Sequence, residues 1–255
     1  MRRRWAAVAA LGVLAACSPL RPPSPSESVA PAPRADAAPA PEPVPSELSC
    51  LQHPRIDVWE NRLREERELR HATRKSLERG EQYLPRLREI LAANGLPEDL
   101  ALLPVVESGF RNNARGRFGE RGLWQLRRQT ARRWGLVVDR QRDDRVHPER
   151  STEAAARYLR HLRDRYGEWP LALAAYNAGE RRVDRALKRE PDADFWQLAD
   201  DGYLPRTSRD FVPRFIAVVR VSDGDGEPLC QRPDGRTTRF ASAVSSSAGS
   251  MGLTR

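Results

Sequence analysis

The sequence has few cysteines, no long apolar run and no sustained alternation of apolar and polar residues. Three cysteines among 255 residues exclude a disulfide-dense scaffold and a zinc site built from four cysteines. No run of about 18 apolar residues is present, so no segment predicts a membrane-spanning helix. Because no segment alternates with period two for long, the pattern favours helices over an extended sheet.

Lysine is also scarce. Lys75 and Lys188 are the only lysines among 44 basic residues, and the formal net charge is +9. Such a charge suits a nucleic-acid partner, but an arginine bias is equally typical of a GC-rich genome. With 39% hydrophobic and 31% charged residues, the chain has room for one ordinary domain plus tails, or for two very small domains.

The first sixteen residues have the parts of an export signal. Residues 1–4 are basic, and residues 5–16 form an apolar stretch that is too short to span a bilayer. The Leu-Ala-Ala-Cys run that ends at Cys17 resembles the lipobox of bacterial lipoproteins, in which the cysteine is lipid-modified. We therefore expect a lipid anchor on Cys17, with Ser18 directing the protein to the periplasmic side of the outer membrane. A plain secretory signal is the alternative, and export in either form excludes nucleic acid as a partner.

Proline is concentrated ahead of the folded region. Residues 19–45 hold ten of the 21 prolines, which predicts an extended tether, so residues 17–50 are interpreted as lipid anchor and linker. Cys50 and Cys230 bracket the helical region. Because the periplasm is oxidising, we expect a disulfide between them, with two free thiols as the alternative.

The remaining sequence predicts helices. Residues 51–96 are interpreted as an N-terminal helical arm, with one solvated helix over 56–79 rich in Arg–Glu pairs and a second near 81–93. Residues 97–222 predict the main domain, in which 171–178 form a central buried helix. A second buried face has helical spacing: Ala155, Tyr158, Leu159, Leu162 and Tyr166. The fold class is therefore all-α, and residues 223–255 are expected to be a mostly disordered tail.

Glu107 is a carboxylate in unusual surroundings. It follows the run Leu-Leu-Pro-Val-Val and precedes Ser-Gly-Phe. Apolar surroundings raise the pKa of a carboxyl group, which suits a general acid. From this local feature alone, a helix-terminal glutamate that points into water is the competing interpretation.

Four motifs follow one another along the chain. The Glu-Ser-Gly-Phe run at 107–110 precedes Gly-Leu-Trp-Gln at 122–125, Thr-Ala at 130–131 and Ala-Tyr-Asn-Ala-Gly at 175–179. In this order the motifs resemble the lytic transglycosylases with a goose-lysozyme-like fold, most closely the membrane-bound lytic transglycosylase D branch. Asp143 and Arg145 also match the pattern of that family. The resemblance covers about residues 97–221 and implies a lysozyme-like helical domain, to which the N-terminal arm is extra.

The resemblance implies a reaction on peptidoglycan glycan strands. The family cleaves the β-1,4 bond between N-acetylmuramic acid and N-acetylglucosamine and leaves a 1,6-anhydromuramic end. Glu107 matches the residue that serves first as acid and then as base, without a cofactor or metal. No motif places a second carboxylate beside it. A non-catalytic wall-binding or scaffold lipoprotein and a hydrolytic lysozyme are the alternatives.

The resemblance also implies roles for the positions around the acid. Tyr176 matches a tyrosine that orients the glutamate, and Gln125 matches a glutamine that binds sugar. Asn177 is expected either to bond backbone or to contact substrate, and Ser108 to form a local hydrogen bond at the helix end. Two glycines, Gly122 and Gly179, are expected to be needed for the conformation of the backbone rather than for contacts with substrate. Trp124 is expected to fill the core rather than stack on sugar.

Several positions depart from the family pattern. Gly116 stands where the family has a substrate-contacting serine, and Thr207 where it has a glutamate. Glu120 and Arg121 replace small residues ahead of Gly-Leu-Trp-Gln. These departures bear on ligand contacts and efficiency rather than on the fold, and the non-catalytic alternative is based on them. The family branch often carries C-terminal LysM repeats, and we expect this chain, which ends at Arg255, to be a form without them.

Overall fold

The computed structural model describes residues 47–222 and the backbone of two short segments near the C-terminus. The α-helices are α1 (Pro54–Glu65), α2 (Arg67–Gly80), α3 (Leu84–Ala93), α4 (Leu103–Glu107), α5 (Arg128–Arg133), α6 (Pro148–Tyr166), α7 (Trp169–Ala178), α8 (Glu180–Leu187), α9 (Phe195–Asp200) and α10 (Arg206–Ser222). Two 3₁₀ helices span Glu98–Leu102 and Asp144–Val146. No helix in the described part of the chain is long and apolar enough to cross a bilayer.

The described residues confirm the all-α prediction, apart from one small ribbon. Strands β1 (Leu229–Gln231) and β2 (Thr237–Arg239) pair antiparallel, with Cys230 opposite Thr238. The ribbon lies in the segment that was expected to be mostly disordered, and no pattern in the sequence predicted it. Cys17 and the rest of residues 1–46 lie outside the described residues.

The arm begins with two helices where a single one was predicted. Glu66 adopts an extended conformation, with ψ 108°, between α1 and α2. The predicted charge pairs do form, since Glu60 and Arg64 are 3.0 Å apart and Arg62 and Glu66 are 2.6 Å apart. Exposed pairs contribute only a few tenths of a kcal/mol each, so they do not enforce a continuous helix when α1 packs against α10 and α2 packs against α4.

α7 is the central helix of the core. Its residues Leu171–Ala175 are all buried, and it packs against both α6 and α10. The face of α6 that was predicted from its spacing is buried as expected. Gly179 ends α7 with φ 90°, a conformation that glycine adopts without strain. The expected buried helix is confirmed and begins two residues earlier, at Trp169.

The arm shares the core with the other helices. α1 packs along α10, and Leu48, Ile56 and Leu63 are buried in the same core as α6 and α7. Arg220 of α10 adds polar contacts, since it lies 3.2 Å from both Asp57 and Glu60 of α1. The arm is therefore integral to the packing of the domain.

Cys50 precedes α1 and is disulfide-bonded. Cys230 belongs to β1, and its side chain lies outside the described residues. The pairing of these two cysteines stays a prediction.

Candidate active site

An open cleft of about 1300 Å³ is lined by residues of α4, the loop between α4 and α5, and the α7–α8 junction. Four of the expected site residues line it: Glu107, Gln125, Tyr176 and Asn177. The two departures, Gly116 and Thr207, line it as well. The volume exceeds the ~300–1,000 Å³ typical of small-molecule pockets, which suits a segment of a longer ligand.

Glu107 is the last residue of α4, behind the buried residues Leu103, Pro104 and Val105. Its side chain is half-buried and keeps an opening to the cleft. Burial in the surrounding protein, with a smaller effect from the negative charge of Glu120, raises the pKa of Glu107 to about 8. Within residues 47–222 no group forms a hydrogen bond with its carboxyl. At neutral pH the group is therefore mostly protonated, as a general acid must be.

Ser108 lies at the end of α4 and turns away from the cleft. Its hydroxyl donates a hydrogen bond to the carbonyl of Pro104, at 3.2 Å, and the residue is buried. Its expected local hydrogen bond at the helix end is confirmed. It does not line the cleft, so it stabilises the backbone at Glu107 from behind.

The backbone after Ser108 is held by the arm. Gly109 and Phe110 have φ 60° and 54°, and the left-handed conformation costs a phenylalanine on the order of 1–2 kcal/mol. The ring of Phe110 is buried against Gly80 of α2, where a Cβ atom would lie 2.8 Å from the ring. Arg79 donates a hydrogen bond to the carbonyl of Gly109, at 2.8 Å. The arm therefore supports the turn that follows the catalytic candidate.

The Gly-Leu-Trp-Gln loop packs tightly against the backbone at Arg145. Gly122 has φ 82°, and a Cβ atom there would lie 1.8 Å from the carbonyl oxygen of Arg145, so only glycine fits. Trp124 is fully buried, and its indole N–H donates to the hydroxyl of Thr152 at 2.9 Å. Both expectations, a backbone requirement at Gly122 and a core position for Trp124, are confirmed.

Gln125 is held in an unusual conformation on the cleft wall. Its φ is 47°, in the left-handed region that favours glycine. Its amide nitrogen donates to the carbonyl of Gly122 at 2.7 Å and lies 3.4 Å from that of Ala114. The amide oxygen lies on the side of Gly116, in the cleft lining. Such local strain is typical of positions that are fixed for function.

Tyr176 lies on α7 near Glu107. Burial, together with the neighbouring Glu107 and Tyr158, raises the pKa of Tyr176 well above its ordinary value, so the phenol stays neutral. Its hydroxyl donates to the carbonyl of Trp124 at 2.7 Å. The phenolic oxygen therefore has only acceptor capacity left for another group. Asn177 follows it, and its side-chain oxygen accepts a hydrogen bond from the hydroxyl of Ser208, at 2.8 Å, rather than from the backbone.

Arg145 has a structural role that the sequence did not reveal. It is buried and donates to the carbonyls of Gly119 and Leu126, at 2.7 and 3.1 Å, on both sides of the Gly-Leu-Trp-Gln run. Its guanidinium also pairs with Asp143 at 2.8 Å. The hydrogen bond from Arg145 holds the pKa of Asp143 below its ordinary value. The matching Asp143 and Arg145 positions thus fix the loop that carries Gln125.

The loop between α4 and α5 adds two groups to the cleft that the motifs did not assign. Phe118 is 71% exposed, and the guanidinium groups of Arg117 and Arg127 lie 5.8 and 5.7 Å from its ring centroid. Glu120 is the second, and its carboxylate belongs to the same cleft as Glu107. Further arginines line the cleft: Arg115, Arg121, Arg128, Arg140, Arg142 and Arg182.

In the described residues no cluster of three His, Cys, Asp or Glu side chains is arranged to hold a metal.

Residues 66–199 match the family of the transglycosylase SLT domain. The chain is 34% identical over 148 residues to "Membrane-bound lytic murein transglycosylase D" of Escherichia coli (strain K12), covering 56% of this chain and 32% of that protein. It is 32% identical over 138 residues to "Membrane-bound lytic murein transglycosylase F" of Aeromonas salmonicida, covering 48% and 26%. The chain thus spans a third or less of the length of these relatives.

A solved structure is also similar. It is an inactive mutant of the lytic transglycosylase Slt from Pseudomonas aeruginosa, with 26% identity and a TM-score of 0.45. The match covers 53% of this chain and 23% of that one.

Proposed function

Because the chain belongs to the transglycosylase SLT domain family, we propose that it is a peptidoglycan lytic transglycosylase. Its reaction is cleavage of the β-1,4 bond between N-acetylmuramic acid and N-acetylglucosamine, with formation of a 1,6-anhydromuramic end. The observation that carries this proposal is the carboxyl group of Glu107, which lies in an open cleft. Burial raises the pKa of this group to about 8. The reaction class is that of the relatives, whose names describe lytic murein transglycosylases.

Glu107 serves both proton transfers in this proposal. The protonated carboxyl donates its proton to the glycosidic oxygen as the bond from that oxygen to C1 breaks. The resulting carboxylate then accepts the proton of the muramoyl C6 hydroxyl as that oxygen bonds to C1. The enzyme returns to its starting protonation state, and no water is consumed.

The surrounding side chains orient the reactants. Tyr176 is neutral and close to Glu107, and its hydroxyl oxygen is free to accept a hydrogen bond from the protonated carboxyl. Gln125 presents its amide oxygen to the cleft, where sugar hydroxyl and N-acetyl groups offer donors. Asn177, tied to Ser208, lines the same wall and is the weaker candidate for a substrate contact.

Hydrolysis has one observation in its favour, the second carboxylate in the cleft. A glycosidase that uses water needs a base to activate it. Both oxygens of Glu120 are already engaged, one with the N–H of Phe118 and one with Arg127, each at 2.8 Å. Those bonds stabilise the anion and make it a poor proton acceptor, so the structure favours the lytic reaction.

Product masses test the proposed reaction. Purified protein is incubated with purified sacculi, and the released muropeptides are analysed by mass spectrometry. We expect 1,6-anhydromuropeptides, each lighter by one water than the corresponding lysozyme product. Reducing-end muramic acid as the main product would establish a hydrolase, and sacculi that are bound but not cleaved would establish the non-catalytic alternative.

The location of the protein is part of the proposal. The membrane-bound relatives and the lipobox at Cys17 support a lipid-anchored protein on the periplasmic side of the outer membrane. Metabolic labelling with a palmitate analogue should mark the wild type and not Cys17→Ala. Equal labelling of both proteins would place the anchor elsewhere.

A further inference from the structure

Gly116 and Glu120, two of the departures from the family pattern, lie next to each other in the cleft. A Cβ atom built on Gly116 would lie 2.4 Å from Oε2 and 2.8 Å from Cβ of Glu120, and 3.0 Å from the amide oxygen of Gln125. A Cβ atom does not approach a non-bonded carbon or oxygen to less than 3.0 Å, so the two contacts with Glu120 would force a shift. The side chain of Glu120 therefore occupies the space that a serine at position 116 would need.

Glu120 also fixes the loop to which it belongs. Its Oε2 accepts a hydrogen bond from the backbone N–H of Phe118 at 2.8 Å, and its Oε1 accepts one from Arg127, also at 2.8 Å. The N–H of Gly116 donates to the backbone carbonyl of Glu120 at 2.9 Å. Because Arg127 also lies over the Phe118 ring, one carboxylate organises the exposed tip of the loop.

The carboxylate of Glu120 is charged, and it interacts electrostatically with Glu107 in the cleft that both residues line. Burial alone would raise its pKa, but hydrogen bonds from backbone N–H groups and the ion pair with Arg127 outweigh burial, so the pKa of Glu120 lies below its ordinary value. Its negative charge disfavours a second charge on Glu107. Among the described residues, Tyr176 also interacts electrostatically with Glu107, and it stays neutral.

We infer that Glu120 is a positioning residue of this site, whose carboxylate replaces the missing side chain at position 116 and holds the loop that carries Phe118 in the cleft that Glu107 also lines. The inference rests on the proposed function and deepens it. Gly116 and Glu120 then form a matched pair rather than two independent defects. A serine restored at position 116 alone should harm the site, although it restores the family residue.

A double-mutant cycle tests the pairing without an assay of activity. Gly116→Ser should lower the Tm of the wild type by about 3–8 °C, because its Cβ displaces Glu120. In the Glu120→Ala background the same substitution should have little effect on Tm, since the space is then open. Equal losses of Tm in both backgrounds would overturn the inference, whatever the protein proves to catalyse.

The pH dependence of kcat/KM on soluble glycan strands separates positioning of the acid from simple loop packing. Glu120→Gln keeps the size of the side chain and an acceptor for the Phe118 N–H, but removes the charge. The alkaline limb of the profile, where Glu107 loses its proton, should move to lower pH by on the order of half a unit. Arg128→Gln, a change at an exposed cleft residue on the first turn of α5, is the control for a nearby change of charge.

The two readouts distinguish the possible failures. An alkaline limb that does not move in Glu120→Gln, in an enzyme that is otherwise active, would overturn the electrostatic part of the inference. A wild type that releases no muropeptides would instead overturn the proposed function. In that case the Tm cycle alone decides whether Glu120 and Gly116 are structurally coupled.

Discussion

At the scale of single residues, Glu107 binds a proton that the unfolded chain would release. Its pKa rises from an ordinary value of 4.5 to about 8 because the folded protein surrounds it. Between these two values the folded state binds more protons than the unfolded state. Stability therefore falls as pH rises through this range, and the site is maintained at the expense of stability.

Glu107→Gln should abolish this dependence. The amide has no proton to lose, so the variant should gain stability over the wild type by on the order of 2 kcal/mol between pH 5 and pH 8, after an allowance for exposure to the cleft. Urea unfolding at both pH values measures the difference. Glu153→Gln, at an exposed position in α6, is the control. A constant difference between Glu107→Gln and wild type would show that Glu107 is already ionised at pH 5.

The sequence predicted the unusual character of Glu107 better than it predicted which residues the fold brings to the same cleft. The apolar run ahead of Glu107 is local, so its effect on the carboxyl could be predicted from adjacent residues. Glu120 reaches the cleft only because the loop between α4 and α5 folds back, which no local pattern records. The second carboxylate, which the motifs did not place beside Glu107, was missed for that reason. The same applies to Arg145, whose partners at Gly119 and Leu126 lie far along the chain.

At the scale of elements, the loop that carries Gln125 depends on glycine for two different reasons. Gly119 and Gly122 have nearly equal φ values of 85° and 82°. A Cβ atom at Gly119 would meet nothing within 4 Å, whereas one at Gly122 would meet the Arg145 carbonyl at 1.8 Å. The pair therefore separates the cost of the conformation from the cost of a steric clash.

Gly122→Ala should destabilise the protein by roughly 3 kcal/mol or more, and it should reduce activity because Gln125 moves with the loop. Gly119→Ala should cost only the conformational part, about 1 kcal/mol. Thermal unfolding of the two variants gives the comparison. Equal losses would indicate that the loop at Arg145 adapts freely and does not fix Gln125.

Helices were predicted correctly where buried side chains recur at helical spacing. The prediction failed where exposed charged side chains were the only pattern. The buried face of α6 and the apolar α7 follow from their spacing, because side-chain burial repeats with the helix. The break at Glu66 was missed because the Arg–Glu pairs of an exposed surface continue across it. The ribbon of β1 and β2 was missed because its strands of three residues are too short to show alternation.

At the scale of the whole molecule, the SLT-type helical domain and its arm have one core. α1 packs along α10, and α2 supports the turn after Glu107 through Gly80 and Arg79. The sequence predicted both sets of helices but placed a boundary near residue 96, since local patterns do not record which helices meet. Damage to the arm should therefore spread to the active site.

Two residues of α1 test this coupling. Ile56 is fully buried and Val58 is 56% exposed. Ile56→Ala should destabilise the protein by about 2–4 kcal/mol in a single cooperative transition, and the loss of activity on heating should follow that transition. Val58→Ala should leave both unchanged to within about 0.5 kcal/mol. Two separate transitions in Ile56→Ala would show that the arm unfolds independently.

The central claim is that the one carboxyl of Glu107 carries both proton transfers. Its most direct test is the rate at which folded Glu107→Gln releases 1,6-anhydromuropeptides from sacculi, compared with the wild type and with Glu120→Gln. We expect Glu107→Gln to fold and to lose at least about 10³-fold in rate, because neither proton transfer remains, while Glu120→Gln stays active. Near-normal release by folded Glu107→Gln would contradict the account and would assign the chemistry to another carboxylate of the cleft.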